Sequence, residues 1–257
     1  MDTVATAASN PSPHPAPESA AGGRGTAERL LAVRRRAAAA AERAGRSPGS
    51  VTIVAVSKGV AAEEISAARD AGQVDFGENR VQELTAKRDA LGPGVRWHFV
   101  GRLQRNKARE VVGLATLIHS VDRWELAEPI ARHACQAGRV QRVLVQVNQG
   151  GDPAKGGCAP EDAGELVWRI RELAGIACEG LMTVPPLGRD PRPVFRGLCR
   201  LRDELRGRFP ELQHLSMGMS GDYEAAIEEG ATIVRVGSAI FGPRPTTPPQ
   251  HPSQEIS

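Results

Sequence analysis

Between Val51 and Gly242 the chain alternates short β-branched runs with longer amphipathic stretches, and eight such runs occur. This alternation marks βα units, because parallel strands need a crossover of a dozen residues or more, usually a helix, to return the chain to the same edge. The runs are VTIVAVS (51–57), VDFG (74–77), RWHFVG (96–101), TLIHSV (116–121), RVLVQVN (142–148), CEGLMTV (178–184), QHLSM (213–217) and TIVRVG (232–237). Helix-favouring stretches fill the gaps at 61–72, 79–91, 104–113, 123–138, 160–175, 193–209 and 222–230, several ending in Gly as a helix C-terminus prefers. Two α/β architectures accommodate this order, a closed (β/α)8 barrel and an open doubly wound sheet. The flanks decide between them. No helix-forming stretch follows the eighth run, yet AERLLAVRRRAAAAAERAG (27–45) precedes the first. Such a helix fills the empty place beside strands one and eight of a barrel, and an open sheet does not need it. The expected fold is a single (β/α)8 barrel preceded by an N-terminal helix.

The 257 residues, 40% hydrophobic and 25% charged, allow one large domain or two small ones, and composition does not choose between them. The barrel is expected over residues 26–244. Residues 1–25 combine Pro, Ala, Ser and Gly without apolar periodicity and are expected to form a disordered arm. A Pro-rich tail of the same character is expected at 245–257. The net charge of +3 comes from arginines spread along the chain, with only 4% aromatic residues to interleave them, so no nucleic-acid partner is expected. No targeting segment or membrane span is legible, which predicts a soluble, cytoplasmic protein. Cys135, Cys158, Cys178 and Cys199 lie about twenty residues apart and are expected to be reduced thiols, with no metal site.

The best candidate for chemistry is Lys58, at the point where the first strand gives way to a Gly-containing turn. A lysine beside so many β-branched residues loses hydration, which disfavours the ammonium and leaves an amine able to attack an aldehyde. Taken alone, it reads first as a solvated residue closing a strand, and the surrounding loops have to overturn that reading. In a barrel the active face lies at the C-terminal ends of the strands, and phosphate usually binds the loops after strands seven and eight. Both loops suit an anion. SMGMSGD (216–222) offers Ser216 and Ser220, with Gly218 and Gly221 for close backbone approach, and GSAIFG (237–242) opens with Gly237 and Ser238.

Arg235 interrupts the otherwise apolar strand TIVRVG, and a buried guanidinium requires an acceptor, either a neighbouring carboxylate or a ring nitrogen of a bound cofactor. The loop after strand two puts Glu78 and Asn79 at the mouth, with Gln82 one turn on. In the loop after strand three, His98 reads as a satisfied core histidine between Trp97 and Phe99. Arg102, Gln104, Asn106 and Lys107 read as a solvated basic rim.

Seven ordered segments carry a resemblance: IVAVSK, FGENRVQE, WHFVGRLQRNK, LVQVN with the following Lys155 and Gly156, GLMTVPP, LSMGMSGDYEAAIEEG and VRVGSAIFG. Together they resemble the pyridoxal phosphate homeostasis proteins, single-domain barrels related to the alanine racemase N-terminal domain, over about residues 27–244. The resemblance implies that pyridoxal 5'-phosphate (PLP) is carried as an internal aldimine with Lys58. It implies that Ser216, Gly218, Ser220, Gly237 and Ser238 hold the phosphate, that Arg235 faces the pyridine nitrogen, and that Asn79 lies near the ring. It further implies a monomeric carrier without established turnover that serves PLP-dependent apoenzymes. Two departures stand out. Gly59 replaces the usual Thr after the lysine, predicting a looser turn, and Gly-Asp-Tyr follows Ser220 where an acidic or polar residue before Met is common.

A PLP-dependent amino-acid racemase is the alternative. Racemisation needs an acid/base group on each face of the α-carbon, and the chain offers one tyrosine, Tyr223, beside the phosphate loop. A third possibility is an aldolase barrel in which Lys58 attacks a phosphorylated sugar.

Overall fold

The computed structural model describes residues 18–243. Eight strands follow one another around a closed barrel: Thr52–Val56 (β1), Asp75–Glu78 (β2), Arg96–Phe99 (β3), Leu117–Val121 (β4), Gln141–Gln146 (β5), Ile176–Met182 (β6), His214–Ser216 (β7) and Ile233–Val236 (β8). All pairings are parallel, and β1 closes the ring by pairing with β8 from Thr52↔Ile233 to Ala55↔Val236. Strand alternation divides the apolar residues into two sets. Val54, Leu117, Leu144, Met182 and Ile233 fill the lumen, while their neighbours Ala55, Ile118, Val143, Val145, Leu181 and Val234 face the surrounding helices.

The helices are Glu18–Arg43 (α1), Ala62–Asp70 (α2), Val81–Leu91 (α3), Ala108–Val111 (α4), Trp124–Gln136 (α5), Ala163–Arg171 (α6), Arg192–Arg206 (α7), Tyr223–Glu228 (α8) and Ser238–Phe241 (α9). As expected, α1 packs beside strands one and eight, against α2, α8 and α9. Its limits differ from the expected 27–45. It ends earlier because Gly45, with φ +68°, completes a Schellman stop: its N–H reaches the Glu42 carbonyl (2.9 Å) and that of Arg46 the Ala41 carbonyl (2.9 Å).

The helix begins earlier, so residues 18–25 of the expected disordered arm are helical, and the rest of the arm lies outside the described residues. Glycines that disfavour a helix in isolation here permit packing, since a Cβ on Gly23 would lie 3.3 Å from that of Ala67. Thr26 is buried, and Arg29 Nε donates to the Ile240 carbonyl (2.7 Å). The tail expected at 245–257 also lies outside the described residues.

Two other elements depart from expectation. The stretch 104–113 forms only a 3-10 turn, Arg105–Lys107, and the single turn α4. After strand eight, where a plain turn was expected, Ser238–Phe241 makes one helical turn and docks on α1.

Candidate functional site

Lys58 sits at the C-terminal mouth of the barrel, in a turn closed by the Val60 N–H on the Ser57 carbonyl (3.0 Å). Gly59 takes φ +69°, with nothing within 4 Å of where a Cβ would stand. Three side chains clamp this turn from below. Lys87 donates to the Ser57 carbonyl (2.6 Å) and to Glu78 Oε1 (2.7 Å), Ser57 Oγ donates to the same Oε1 (2.6 Å), and Glu83 accepts from the Gly59 N–H (2.9 Å). The looser turn expected from glycine is therefore not found, because the clamp binds backbone atoms and a positive φ is where glycine is least strained. Gly59→Ala is expected to cost about 1 kcal/mol of unfolding free energy in urea titration, all from the backbone conformation.

Glu78, expected at the mouth, is instead fully buried and turned into this clamp. Burial pushes its carboxyl pKa up despite Lys87 and Ser57, and its Oε2 has no hydrogen-bond partner among the described residues.

Across from Lys58, Arg235 is 5% exposed and its guanidinium donates to Ser216 Oγ (2.7 Å) and to the Thr183 carbonyl (2.9 Å). Burial lowers its pKa to about 10, which leaves it cationic at neutral pH. Of the two acceptors expected for it, no carboxylate pairs with it at ion-pair distance among the described residues. The loops after β7 and β8 converge beside it. Ser220 Oγ accepts from the N–H groups of Gly237 (3.1 Å) and Ala239 (3.2 Å), so a hydroxyl and two amides share one spot. Gly218 takes φ +93°, and a Cβ there would lie 2.5 Å from that of Ala226 and 3.0 Å from the Tyr223 Cα, so only glycine lets α8 approach the loop.

These groups enclose a cavity of about 410 Å³ lined by Lys58, Asn79, Ser220, Arg235, Gly237 and Ser238, with Val56, Val184, Met219 and Phe241 among its walls. Its volume falls in the range of small-molecule sites. An amine, a buried guanidinium and an N–H cradle facing one cavity fit a phosphorylated aldehyde with a ring nitrogen. Six of the eight expected site residues thus meet around one space. Ser216 and Gly218 do not line it: Ser216 is buried behind Arg235, and Gly218 shapes the loop.

His98 is the satisfied core histidine expected, 2.9 Å from His119 and 3.0 Å from Asp75. Arg96 also grips Asp75 through two bonds of 2.8 and 2.7 Å. Burial alone raises the Asp75 pKa, but the bonds from Arg96 and His98 outweigh it and hold the carboxyl at about 2. A carboxyl depressed in the folded state contributes stability above its unfolded pKa and loses it as pH falls through the folded one. About 2 kcal/mol is therefore expected to vanish between roughly pH 4 and pH 2. Urea unfolding at pH 5 and pH 2.5 measures it, and Asp75→Asn should flatten the difference.

The basic rim is more organised than expected. Arg80, Arg102, Arg105, Lys107, Arg109 and Arg123 line an open groove of about 1030 Å³ that shares Asn79 with the cavity and has no carboxylate in its lining. Lys107 pairs with Glu110 (2.7 Å) and Arg123 with Asp122, while Arg80, Arg102, Arg105 and Arg109 have no carboxylate at ion-pair distance among the described residues. Sequence reasoning passed over Glu83, Lys87, Asp75, His119 and Thr183. The signal for His119 was the same as for Arg235, one polar residue inside an apolar run. Glu83 and Lys87 were visible only as an i, i+4 pair.

A barrel with an amine after strand one and an anion cradle after strands seven and eight defines a class, and the family described as alanine racemase, N-terminal domain, matches residues 29–245. The pyridoxal phosphate homeostasis protein of Aquifex aeolicus is 47% identical over 222 residues, covering 84% of this chain and 97% of that protein. Its namesake in Pseudomonas aeruginosa is 40% identical over 219 residues, covering 85% and 95%. The chain belongs to the pyridoxal phosphate homeostasis protein family. A solved structure of PipY from Synechococcus elongatus, with PLP bound, aligns with a TM-score of 0.75 at 39% identity, covering 84% of this chain and all of that one.

Proposed function

We propose that this protein holds PLP in the 410 Å³ cavity, through a Schiff base to Lys58, and carries it within the cytoplasm as a monomer that supplies PLP-dependent apoenzymes. The observation that carries this reading is the convergence of Lys58, Arg235 and the Ser220–Gly237–Ser238 cradle on one cavity. Bound PLP brings an aldehyde that condenses with an amine, and the chain's own groups do the rest. Ser220, Ser238 and the amides of the two loops hold the phosphate. Asn79 lies by the ring. Arg235, cationic and donor-only, faces the ring nitrogen and keeps it unprotonated, which makes the ring a weak electron sink.

A carrier is favoured over a racemase by what lines the cavity. Among the described residues that line it, Lys58 is the one general base, and the lining includes no His, Cys, Tyr or carboxylate. Tyr223 is buried beneath the phosphate loop, outside the cavity, with Arg36 stacked 5.7 Å from its ring. The basic groove supports the choice of recipient, because an acidic protein surface docked there would lie next to the cavity through Asn79.

Absorbance tests the reading. Protein loaded with PLP should be yellow, and borohydride should bleach the band and fix the cofactor's mass to the peptide bearing Lys58. Protein that stays colourless and gains no mass refutes it. Turnover of D- or L-alanine at an enzymic rate would favour the racemase.

A further inference from the structure

A continuous polar chain crosses the barrel lumen. From the N-terminal end upward it runs Asp75 Oδ1 to His98 Nε2 (3.0 Å), His98 Nδ1 to His119 Nε2 (2.9 Å), His119 Nδ1 to Ser216 Oγ (2.8 Å) and Ser216 Oγ to Arg235 NH1 (2.7 Å). Every member is at most 8% exposed. It draws on five strands that only barrel closure brings together: β2, β3, β4, β7 and β8.

The two ends fix its direction. Arg235 can only donate, so Ser216 Oγ accepts from it. The Ser216 hydrogen then needs an acceptor, and among the described residues His119 Nδ1 is its other hydrogen-bond partner. A neutral His119 with a bare Nδ1 carries its hydrogen on Nε2 and donates to His98 Nδ1. His98 in turn carries its hydrogen on Nε2 and donates to the Asp75 carboxylate. The reverse order would leave the Ser216 hydrogen buried without an acceptor, which native interiors avoid. Burial, with His98 and Arg235 close by, also pushes the His119 pKa well below the usual histidine range, in keeping with a neutral ring.

We infer that Asp75, His98, His119 and Ser216 form a one-directional hydrogen-bond chain that positions Arg235 from behind, fixing which of its N–H groups face the cavity. A donor series running from a cation to a carboxylate aligns every bond dipole between the two charges. With NH1 and NH2 each committed, to Ser216 and to the Thr183 carbonyl, the guanidinium plane cannot rotate. These residues touch nothing in the cavity and act through Arg235. The consequence for PLP rests on the function proposed above, whereas the polarity of the chain does not.

Nitrogen NMR of apoprotein labelled with 15N-histidine tests the polarity, with signals assigned by single histidine variants. The expected result is that His98 and His119 are both neutral with hydrogen on Nε2. Hydrogen on Nδ1 of either ring overturns the assignment, whatever the protein binds. Two variants test the positioning. His119→Asn returns an acceptor near the place of Nδ1, and His119→Leu returns none. In PLP titrations followed by absorbance, the Leu variant should bind about tenfold more weakly, the size of one charge-assisted hydrogen bond, and the Asn variant should recover most of that loss. Equal weakening in both would reduce the chain to structural filler. If neither variant folds, the NMR result on the unaltered protein decides.

Discussion

Lys58→Ala protein is expected to fold, to purify colourless and to take up no PLP mass on borohydride treatment. The chain has four lysines, Lys58, Lys87, Lys107 and Lys155, and only Lys58 lines the cavity. Lys87 is committed to Ser57 and Glu78, and Lys107 lies in the groove paired with Glu110. None of the other three lysines lines the cavity to substitute for it. The fold should survive because the turn is held through the backbone of Ser57, Gly59 and Val60. Residual affinity should remain, since the cradle and Arg235 are untouched, and it should appear as reversible binding that dialysis removes. A yellow Lys58→Ala protein with the adduct on another lysine would defeat the assignment of the tether.

Lys87→Met is expected to have the largest effect on stability. Glu78 is fully buried, its Oε2 has no partner among the described residues, and Lys87 lies 2.7 Å from Oε1 at 13% side-chain exposure. Removing the ammonium leaves a buried carboxylate with only the Ser57 hydroxyl, a situation that costs about 3 kcal/mol. In guanidinium titration the midpoint should fall at unchanged slope. The double variant Lys87→Met/Glu78→Gln should recover most of the loss, because the uncompensated charge is then gone. A Glu78 pKa that is raised in the folded state means that the fold binds this proton more tightly than the unfolded chain does. The loss in Lys87→Met should therefore be greater at pH 8 than at pH 5. A cost below 1 kcal/mol, or no recovery in the double variant, would show that the clamp does not bear on stability.

The barrel was legible because each βα unit advertises itself locally. Val and Ile runs such as TIVAV favour extended backbone, and the intervening stretches carry helical periodicity, so element type needs no knowledge of neighbours. The helix before β1 was legible by elimination. Its start was not, because the glycines at 23 and 25 disfavour helix by themselves and are offset by the packing of Thr26, Arg29 and Ala67 around them.

Lys58, Asn79, Ser220, Arg235, Gly237 and Ser238 line one cavity because each sits just beyond a strand or interrupts one, on the face that barrels use. Ser216 was assigned to the phosphate on the strength of its loop motif. It is in fact the last residue of β7, where alternation with Leu215 and Met217 turns it into the lumen beneath Arg235.

By itself, then, the sequence determined the order of elements, the lysine after the first strand and the two glycine-serine loops, all properties of contiguous residues and their periodicity. Only the tertiary structure decided which distant polar groups satisfy one another. Glu78 finds Lys87 through the first turns of α3, and Asp75, His98, His119, Ser216 and Arg235 meet because ring closure sets five strands around one lumen. Buried donors and acceptors must be paired within about 3 Å, and no spacing along the chain encodes which residue from another strand will supply the partner.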